Sequence, residues 1–147
     1  MQLELEAKIL GRPRPQGSLR VITSASTRRP VAVYSDSTTQ HRNMVIAELA
    51  KEWAGRQPLT GPVAVKAHFI FRRPKSHFGS GGNADKLKGS APSAHTNTPD
   101  TDKLLRLLGD ALTIAGVIGD DSQISPIRGE KSWTDGADCT FIEVWSL

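Results

Sequence analysis

The sequence predicts a small α/β (α+β) domain in which a mixed, mainly antiparallel sheet packs against two helices. The chain has 147 residues, a length typical of one domain with its own hydrophobic core. Several stretches alternate apolar and polar residues, as half-buried strands do, and two longer stretches repeat apolar residues at helical spacing. No internal repeat is evident, so we expect residues 1–147 to form a single domain.

The first part of the chain predicts three strands. Residues 3–10 alternate Leu, Ala and Ile with charged residues, and the Gly and Pro residues of 11–17 end this strand. Two short strands are predicted at residues 20–23 and 31–34, on either side of a polar turn. This hairpin is expected to form either a solvated rim or a basic flap over a phosphate backbone. Five arginines lie around it: Arg12, Arg14, Arg20, Arg28 and Arg29.

A helix is predicted for residues 38–54, with Asp36 or Ser37 as its cap. Its apolar residues recur every three or four positions, which indicates a face packed on the core. The polar residues between them, His41 and Arg42 included, are expected on the solvent face.

Residues 62–72 show the clearest strand pattern, in which every second residue from Val63 to Phe71 is apolar. Residues 73–98 then show no periodicity and are rich in Gly, Ser, Ala and Lys. Loops of this length are commonly functional lids or disordered segments, so we expect a mobile basic loop that a polyanion orders in part. Its lysines are Lys75, Lys86 and Lys88.

A second helix is predicted from Thr101 or Asp102 to Ala115, with Gly116 as its stop. Most of its surface is apolar, and its polar residues share one stripe. That stripe contains Asp102, Lys103, Arg106 and Asp110.

Two last strands are predicted at residues 124–133 and 138–145, joined around a turn at Asp135 and Gly136. Pro126 indicates an irregular or edge position in the first of them, because proline cannot donate a hydrogen bond to a neighbouring strand.

Composition narrows the classes of function. Lys and Arg number 19 against 15 Asp and Glu, and the net charge of +4 fits a nucleic-acid partner without requiring one. The single Cys139 excludes an intrachain disulfide framework. No secretory signal and no membrane-spanning run is visible, so a cytoplasmic location and no membrane partner are expected. No Walker loop, GxGxxG motif or zinc-ligand spacing occurs, and no organic cofactor is expected.

Two pairs of carboxylates flank the second helix. Asp100 and Asp102 stand at its start, and Asp120 and Asp121 follow its end. Carboxylates next to basic residues suit Mg²⁺, for which Mn²⁺ can substitute, and such ions serve chemistry on phosphate groups. Asp121 would complete this metal site if its loop folds back beside the start of the helix. The alternative is structural, since Asp is also a favoured helix cap and turn residue.

Together these motifs resemble the RusA family of Holliday-junction resolvases, which is common in bacteriophages and prophages. The matching residues are Pro99-Asp100-Thr101-Asp102-Lys103-Leu104, Arg106, Asp110-Ala111-Leu112 and Asp120-Asp121-Ser122-Gln123-Ile124. Gly11-x-Pro13-x-Pro15-Gln16 matches more weakly, and Lys131 falls where the family has a basic residue in the following strand. The order of elements agrees over nearly the whole chain.

The resemblance implies that Asp100, Asp102 and Asp121 are catalytic and bind the metal ion. Arg106 stands where the family usually has Lys. Arginine keeps the positive charge but does not accept a proton at neutral pH, so Arg106 would stabilise charge on the phosphate and would not act as a base. The alternative is that Arg106 pairs with Asp102 and Asp110 along the helix.

DNA contacts are expected from the basic residues around these carboxylates and in the loop. Lys103, which replaces the usual Asn of the family, is expected to contact phosphate or to assist Arg106. The full set is Arg12, Arg14, Arg20, Lys75, Lys86, Lys88, Lys103 and Lys131.

The implied activity is Mg²⁺-dependent cleavage that resolves four-way DNA junctions by paired symmetric nicks, in recombination and repair. The resemblance also implies a homodimer from a bacterial cell, phage or prophage encoded. Symmetry supports the dimer, because a two-fold assembly presents two identical sites to the junction. Two alternatives stay open: a non-catalytic protein that binds branched DNA, and a Mg²⁺-dependent nuclease for other branched DNA.

Overall fold

The computed structural model describes residues 1–16, 20–33 and 36–147. Two helices, a four-stranded sheet and a separate two-stranded sheet are present in these ranges, which confirms the predicted fold class. In chain order the elements are β1 (Gln2–Leu10), β2 (Arg20–Thr23), β3 (Pro30–Val33), α1 (Asp36–Trp53), β4 (Val63–Arg72), α2 (Thr101–Ile114), β5 (Ile124–Thr134) and β6 (Cys139–Ser146). The predicted end of β3 at Tyr34 lies outside the described residues.

The main sheet has the strand order β1-β6-β4-β5. β6 pairs antiparallel with β1 and with β4, whereas β4 and β5 are parallel. The turn at Asp135 and Gly136 therefore joins β5 and β6 as predicted, but these two strands are not neighbours in the sheet. β4 lies between them because its apolar residues suit a central strand, whereas Pro126 suits the edge strand β5.

The edge position of β5 and its irregularity agree with the prediction from Pro126. Val63 pairs with Ile124, but Val65 pairs with Ile127, so β5 holds one more residue than β4 in this interval. Such a bulge leaves an unpaired residue in the ladder, which accommodates a proline without losing a hydrogen bond.

One face of the main sheet packs against both helices and forms the core. Alternate residues of β1, β4 and β6 point to this face, because successive side chains of a strand alternate sides. Their buried members include Leu5, Ile9, Phe69, Phe71 and Val144. The helices contribute Val45, Leu49 and Trp53 from α1 and Leu104, Leu108 and Leu112 from α2. The apolar stripes predicted for both helices therefore face the core.

Helix α1 differs from its prediction at two points. It begins at Asp36, so Asp36 and Ser37 are both helical residues and neither is its cap. His41 is buried with 9% exposure and Arg42 is half-buried, so neither lies on a solvent face. Pro13 and Leu104 line the same small internal cavity as His41, and this packing covers that side of α1.

Residues 73–98 contain local structure that the sequence does not predict. Two single 3₁₀ turns occupy Lys75–His77 and Gly81–Asn83, and a β-bridge joins Phe78 to Leu87. The guanidinium of Arg73 donates a 2.7 Å hydrogen bond to the carbonyl of Pro92. Turns of three residues have no periodic pattern, which is why the segment resembles a structureless loop in sequence. Its mobility stays a prediction.

Among the helices that the structure describes, none is long and apolar enough to cross a membrane.

Candidate active site

The chain that follows β1 crosses the start of α2. We call residues 11–16 the strap. The backbone N–H of Gln16 donates a 3.1 Å hydrogen bond to the carbonyl of Lys103. Pro13, within the strap, is fully buried. Because the strap is fastened to α2 and to the core, Arg12 and Arg14 are held near the helix start while their side chains stay exposed.

A cleft opens between the strap and the start of α2. Its lining residues are Arg12, Pro13, Arg14, Pro15, Thr98, Pro99, Asp100 and Lys103. The ammonium of Lys103 lies 3.4 Å from a carboxylate oxygen of Asp100, and both side chains are about half exposed. The structure thus brings three of the predicted DNA-binding residues together with one of the predicted catalytic carboxylates.

Asp100 directly precedes α2, yet its side chain makes no capping hydrogen bond. Asp120 behaves differently. Its carboxylate accepts a 2.7 Å hydrogen bond from the N–H of Ser122, and the side chain of Gln123 accepts one from the N–H of Asp120. Hydrogen bonding from the side chain of Ser122, and secondly from its backbone N–H, lowers the pKa of Asp120. The structural alternative therefore describes Asp120, which caps the short turn Asp121–Gln123, and does not describe Asp100.

Asp121 lies against the middle of α2, beside Gly109. A Cβ atom built on Gly109 would lie 3.8 Å from the Cβ atom of Asp121. Gly109 follows Asp102 by seven residues, so the two share a helix face and are about 10 Å apart along its axis. Within the described ranges, no group of three His, Cys, Asp or Glu side chains lies close enough to hold a metal ion. The loop of Asp121 thus lies two turns from the helix start and does not fold back beside it.

The carboxylates nevertheless fit a divalent cation in their chemistry. Asp100 and Asp102 are exposed oxygen donors separated by one residue, and Asp102 has no hydrogen bond or ion pair among the described residues. Mg²⁺ is usually held by one or two carboxylates together with water and substrate phosphate, and not by a closed protein cage. An exposed pair at the start of α2, of which Asp100 lines the cleft, is compatible with that mode of binding.

Arg106 lies on the same face of α2, between Asp102 and Gly109. Its side chain is exposed. The salt bridges of the described residues join it to neither Asp102 nor Asp110. The alternative in which Arg106 serves only as a helix-surface ion pair therefore finds no support in the geometry.

Sequence reasoning missed Arg42. A second, shallow pocket is lined by Arg42, Asp110, Thr113, Ile114, Asp120 and Asp121. The Nε atom of Arg42 is buried and has no hydrogen-bond partner in residues 1–16, 20–33 and 36–147. A buried donor without an acceptor is costly, and an acceptor group that reached the Nε atom would satisfy it. The available signal was its position four residues before Ile46, at the border of the apolar stripe of α1.

The other predicted DNA-binding residues are not in the cleft. The lysines of residues 73–98 are exposed and line no part of it: Lys75, Lys86 and Lys88. The side chain of Arg20 lies outside the described part of the chain. The ammonium of Lys131 points inward and donates hydrogen bonds to the carbonyls of Asn97 at 2.6 Å and Pro99 at 2.9 Å.

Comparison with known proteins adds one strong match. The family described as endodeoxyribonuclease RusA matches residues 11–144, a stretch that contains the strap, both helices and all three predicted catalytic carboxylates. No curated protein matches the chain.

Proposed function

Because the chain belongs to the endodeoxyribonuclease RusA family of Holliday-junction resolvases, we propose that it resolves four-way DNA junctions by a pair of symmetric nicks. The observation that carries this proposal is the extent of the match. It runs from the first residue of the strap to the last strand, so the basic cleft and the carboxylates of α2 all belong to the matched region.

The proposed division of roles follows the site geometry. Asp100 and Asp102 would hold a divalent cation, Mg²⁺ or Mn²⁺, at the start of α2. Asp121 lies beside the middle of α2, too far away to share that cation, and would hold a second one. Such a cation, when bound, stabilises charge on a phosphate and lowers the pKa of a coordinated water. Arg106 lies between the carboxylates, and its guanidinium pairs with none of the described residues, which suits it to stabilise the negative charge of the reacting phosphate.

Basic residues at the cleft would place the DNA backbone. Arg12 and Arg14 on the strap and Lys103 on α2 surround Asp100. Lys103 also partly neutralises Asp100 through their ion pair, which reduces repulsion between the carboxylate and an incoming phosphate. Contacts of this kind recognise backbone charge and junction shape, with little dependence on base sequence.

Paired nicks require two sites, and we propose a homodimer in which each protomer supplies one. Light scattering at micromolar protein tests this directly. A complex that contains one protomer per junction would contradict the proposed homodimer. A role in recombination and repair, action in the bacterial cytoplasm and a phage or prophage origin stay predictions.

The activity is tested with a synthetic four-way junction and a linear duplex of the same sequence, each with and without Mg²⁺. The proposal predicts Mg²⁺-dependent nicks in two opposed strands of the junction only, with 5′-phosphate and 3′-hydroxyl ends. Binding without cleavage under any metal would show a non-catalytic branched-DNA-binding protein. Cleavage of flaps or forks in preference to four-way junctions would show a nuclease for other branched DNA.

A further inference from the structure

The segment that leads into Asp100 is fastened to the edge strand β5. Lys131, in the middle of β5, donates hydrogen bonds from its ammonium to the carbonyls of Asn97 at 2.6 Å and Pro99 at 2.9 Å. Pro99 is the residue directly before Asp100. The two carbonyls are thus fixed on either side of Thr98, which itself lines the cleft.

Trp133 adds a second attachment two residues further along β5, on the same side of the strand. Its indole N–H donates a 3.2 Å hydrogen bond to the carbonyl of Ala94. Its ring stacks on His95, with centroids 3.9 Å apart and planes inclined by 13°. His95 is buried with 6% exposure and also meets the edge of Phe71 at 4.5 Å. Both ends of residues 94–99 are therefore held by one strand.

The charged ammonium of Lys131 binds backbone carbonyls of this segment and not a carboxylate in the described ranges. Lys131 is half-buried, and no carboxylate pairs with it among the salt bridges of the described residues. Hydrogen bonds from a charged donor are stronger and more directional than neutral ones, and two acceptors restrict the ammonium further. A lysine that binds DNA phosphate needs its ammonium exposed, and this one faces the protein backbone.

We propose that Lys131 is a positioning residue, which acts on the active site through the carbonyls of Asn97 and Pro99 and so sets the place of Asp100. The inference rests on the proposed function, since it assigns Lys131 to the nuclease site. It replaces the expectation that Lys131 contacts DNA. Small displacements of a reacting group are costly in rate, which is why such a residue affects cleavage without touching the substrate.

The test uses Lys131→Met and Lys131→Arg in the full-length chain. The matched control is Arg128→Met, which removes the same charge from the opposite side of the same strand. Three quantities are measured: amide hydrogen exchange of residues 96–102 in the protein alone, the salt dependence of junction affinity without metal, and the single-turnover cleavage rate at saturating protein.

A positioning role predicts that Lys131→Met accelerates exchange at residues 96–102 by at least about tenfold and slows cleavage by about 10- to 100-fold, with the salt slope unchanged. Lys131→Arg, which keeps charged donors, should restore most of both losses. In Arg128→Met, the amide exchange at residues 96–102 and the cleavage rate should equal those of the unsubstituted protein. Should Lys131→Met not fold, Lys131→Gln takes its place, because it keeps N–H donors without the charge.

A different pattern overturns the inference. Unchanged exchange at residues 96–102, with a salt slope flattened by about 0.9, would make Lys131 a phosphate contact. The exchange measurement needs neither DNA nor metal. A chain that cuts no DNA would therefore contradict the proposed function alone, while unchanged exchange would contradict the role of Lys131 alone.

Discussion

Asp121 lies against Gly109 of α2, where an added Cβ atom would be 3.8 Å from the Cβ atom of Asp121. This contact places Asp121 about two helical turns after Asp102, on the same face. The predicted catalytic groups are consequently spread along one side of α2, with Arg106 between them. A DNA backbone that follows α2 from the cleft would pass each of these groups in turn.

The carboxylates should be needed for cleavage and dispensable for binding. We expect Asp100→Asn, Asp102→Asn and Asp121→Asn each to slow single-turnover cleavage by about 10²-fold or more, because an oxygen that is proposed to bind metal loses its charge. Junction affinity without metal should stay equal or rise, because repulsion toward phosphate falls. Asp85→Asn, an exposed carboxylate outside the cleft, is the control. Rates near that of the unsubstituted protein in any two of the three variants would refute their role.

Arg106 should act on the rate of cleavage and not on affinity. Arg106→Ala is expected to slow single-turnover cleavage at saturating protein by about 10² to 10³, the loss typical of one stabilising donor. Arg106→Lys should recover much of the rate, since the required property is charge. The free energy of unfolding should change by no more than about 0.5 kcal/mol, because Arg106 is exposed and forms no ion pair within the part of the chain that the structure describes. An alanine variant that cleaves within about threefold of the original rate would make Arg106 part of the scaffold.

Replacing Arg42 should weaken DNA binding without lowering the free energy of unfolding. Arg42→Met removes the buried Nε donor that has no partner, so the free energy of unfolding should hold or rise by up to about 1 kcal/mol. Junction affinity should fall, and the slope of log K against log salt should flatten by about 0.9 if the guanidinium meets one phosphate. Lys51→Met, on the exposed part of α1, serves for comparison. A marked loss of stability in Arg42→Met would instead assign Arg42 to the support of Asp110 or Asp121.

The lysines of residues 73–98 should bind DNA through charge alone. Replacing Lys75, Lys86 and Lys88 by Ala together is expected to flatten the salt slope by about 0.9 for each lysine that meets a phosphate. The cleavage rate at saturating protein should not change, because none of the three lines the cleft. A salt slope equal to that of the unsubstituted protein would show that this segment faces away from DNA.

His95 should make stability depend on pH. Burial lowers its pKa, and the charge of Lys131 lowers it further. The unfolded chain then binds the proton more readily than the folded one, so stability falls as pH drops through the unfolded value near 6.5. His95→Phe keeps the ring stacked on Trp133 but cannot be protonated. Thermal unfolding between about pH 7.5 and about pH 5 should therefore show a shallower decline for this variant.

A residual decline is expected in His95→Phe, because burial also lowers the pKa of His41, with Arg14 as the second cause. Parallel curves for the two proteins would mean that His95 takes no part in the pH dependence.

The elements of the fold were predictable because their signals are local. The alternation in residues 62–72 and the helical spacing in residues 101–115 each follow from which side chains face the core, and the structure has β4 and α2 at those places. The pairing of strands was not predictable in the same way. Asp135 and Gly136 have the residues of a tight turn, yet β4 separates β5 from β6, since pairing depends on which strand buries both of its faces.

The candidate site also has features that depend on local sequence and features that depend on long-range contacts. The candidate groups could be predicted from residue type and spacing: the carboxylates around α2, the basic residue one turn later and the arginines that precede them. Where each group lies depends on the tertiary fold. It set Asp121 two turns from Asp102, brought Arg42 to the acidic pocket and turned Lys131 onto the carbonyls before Asp100. The reason is physical, because the direction of a long polar side chain depends on which distant backbone and carboxylate groups the fold brings within its reach.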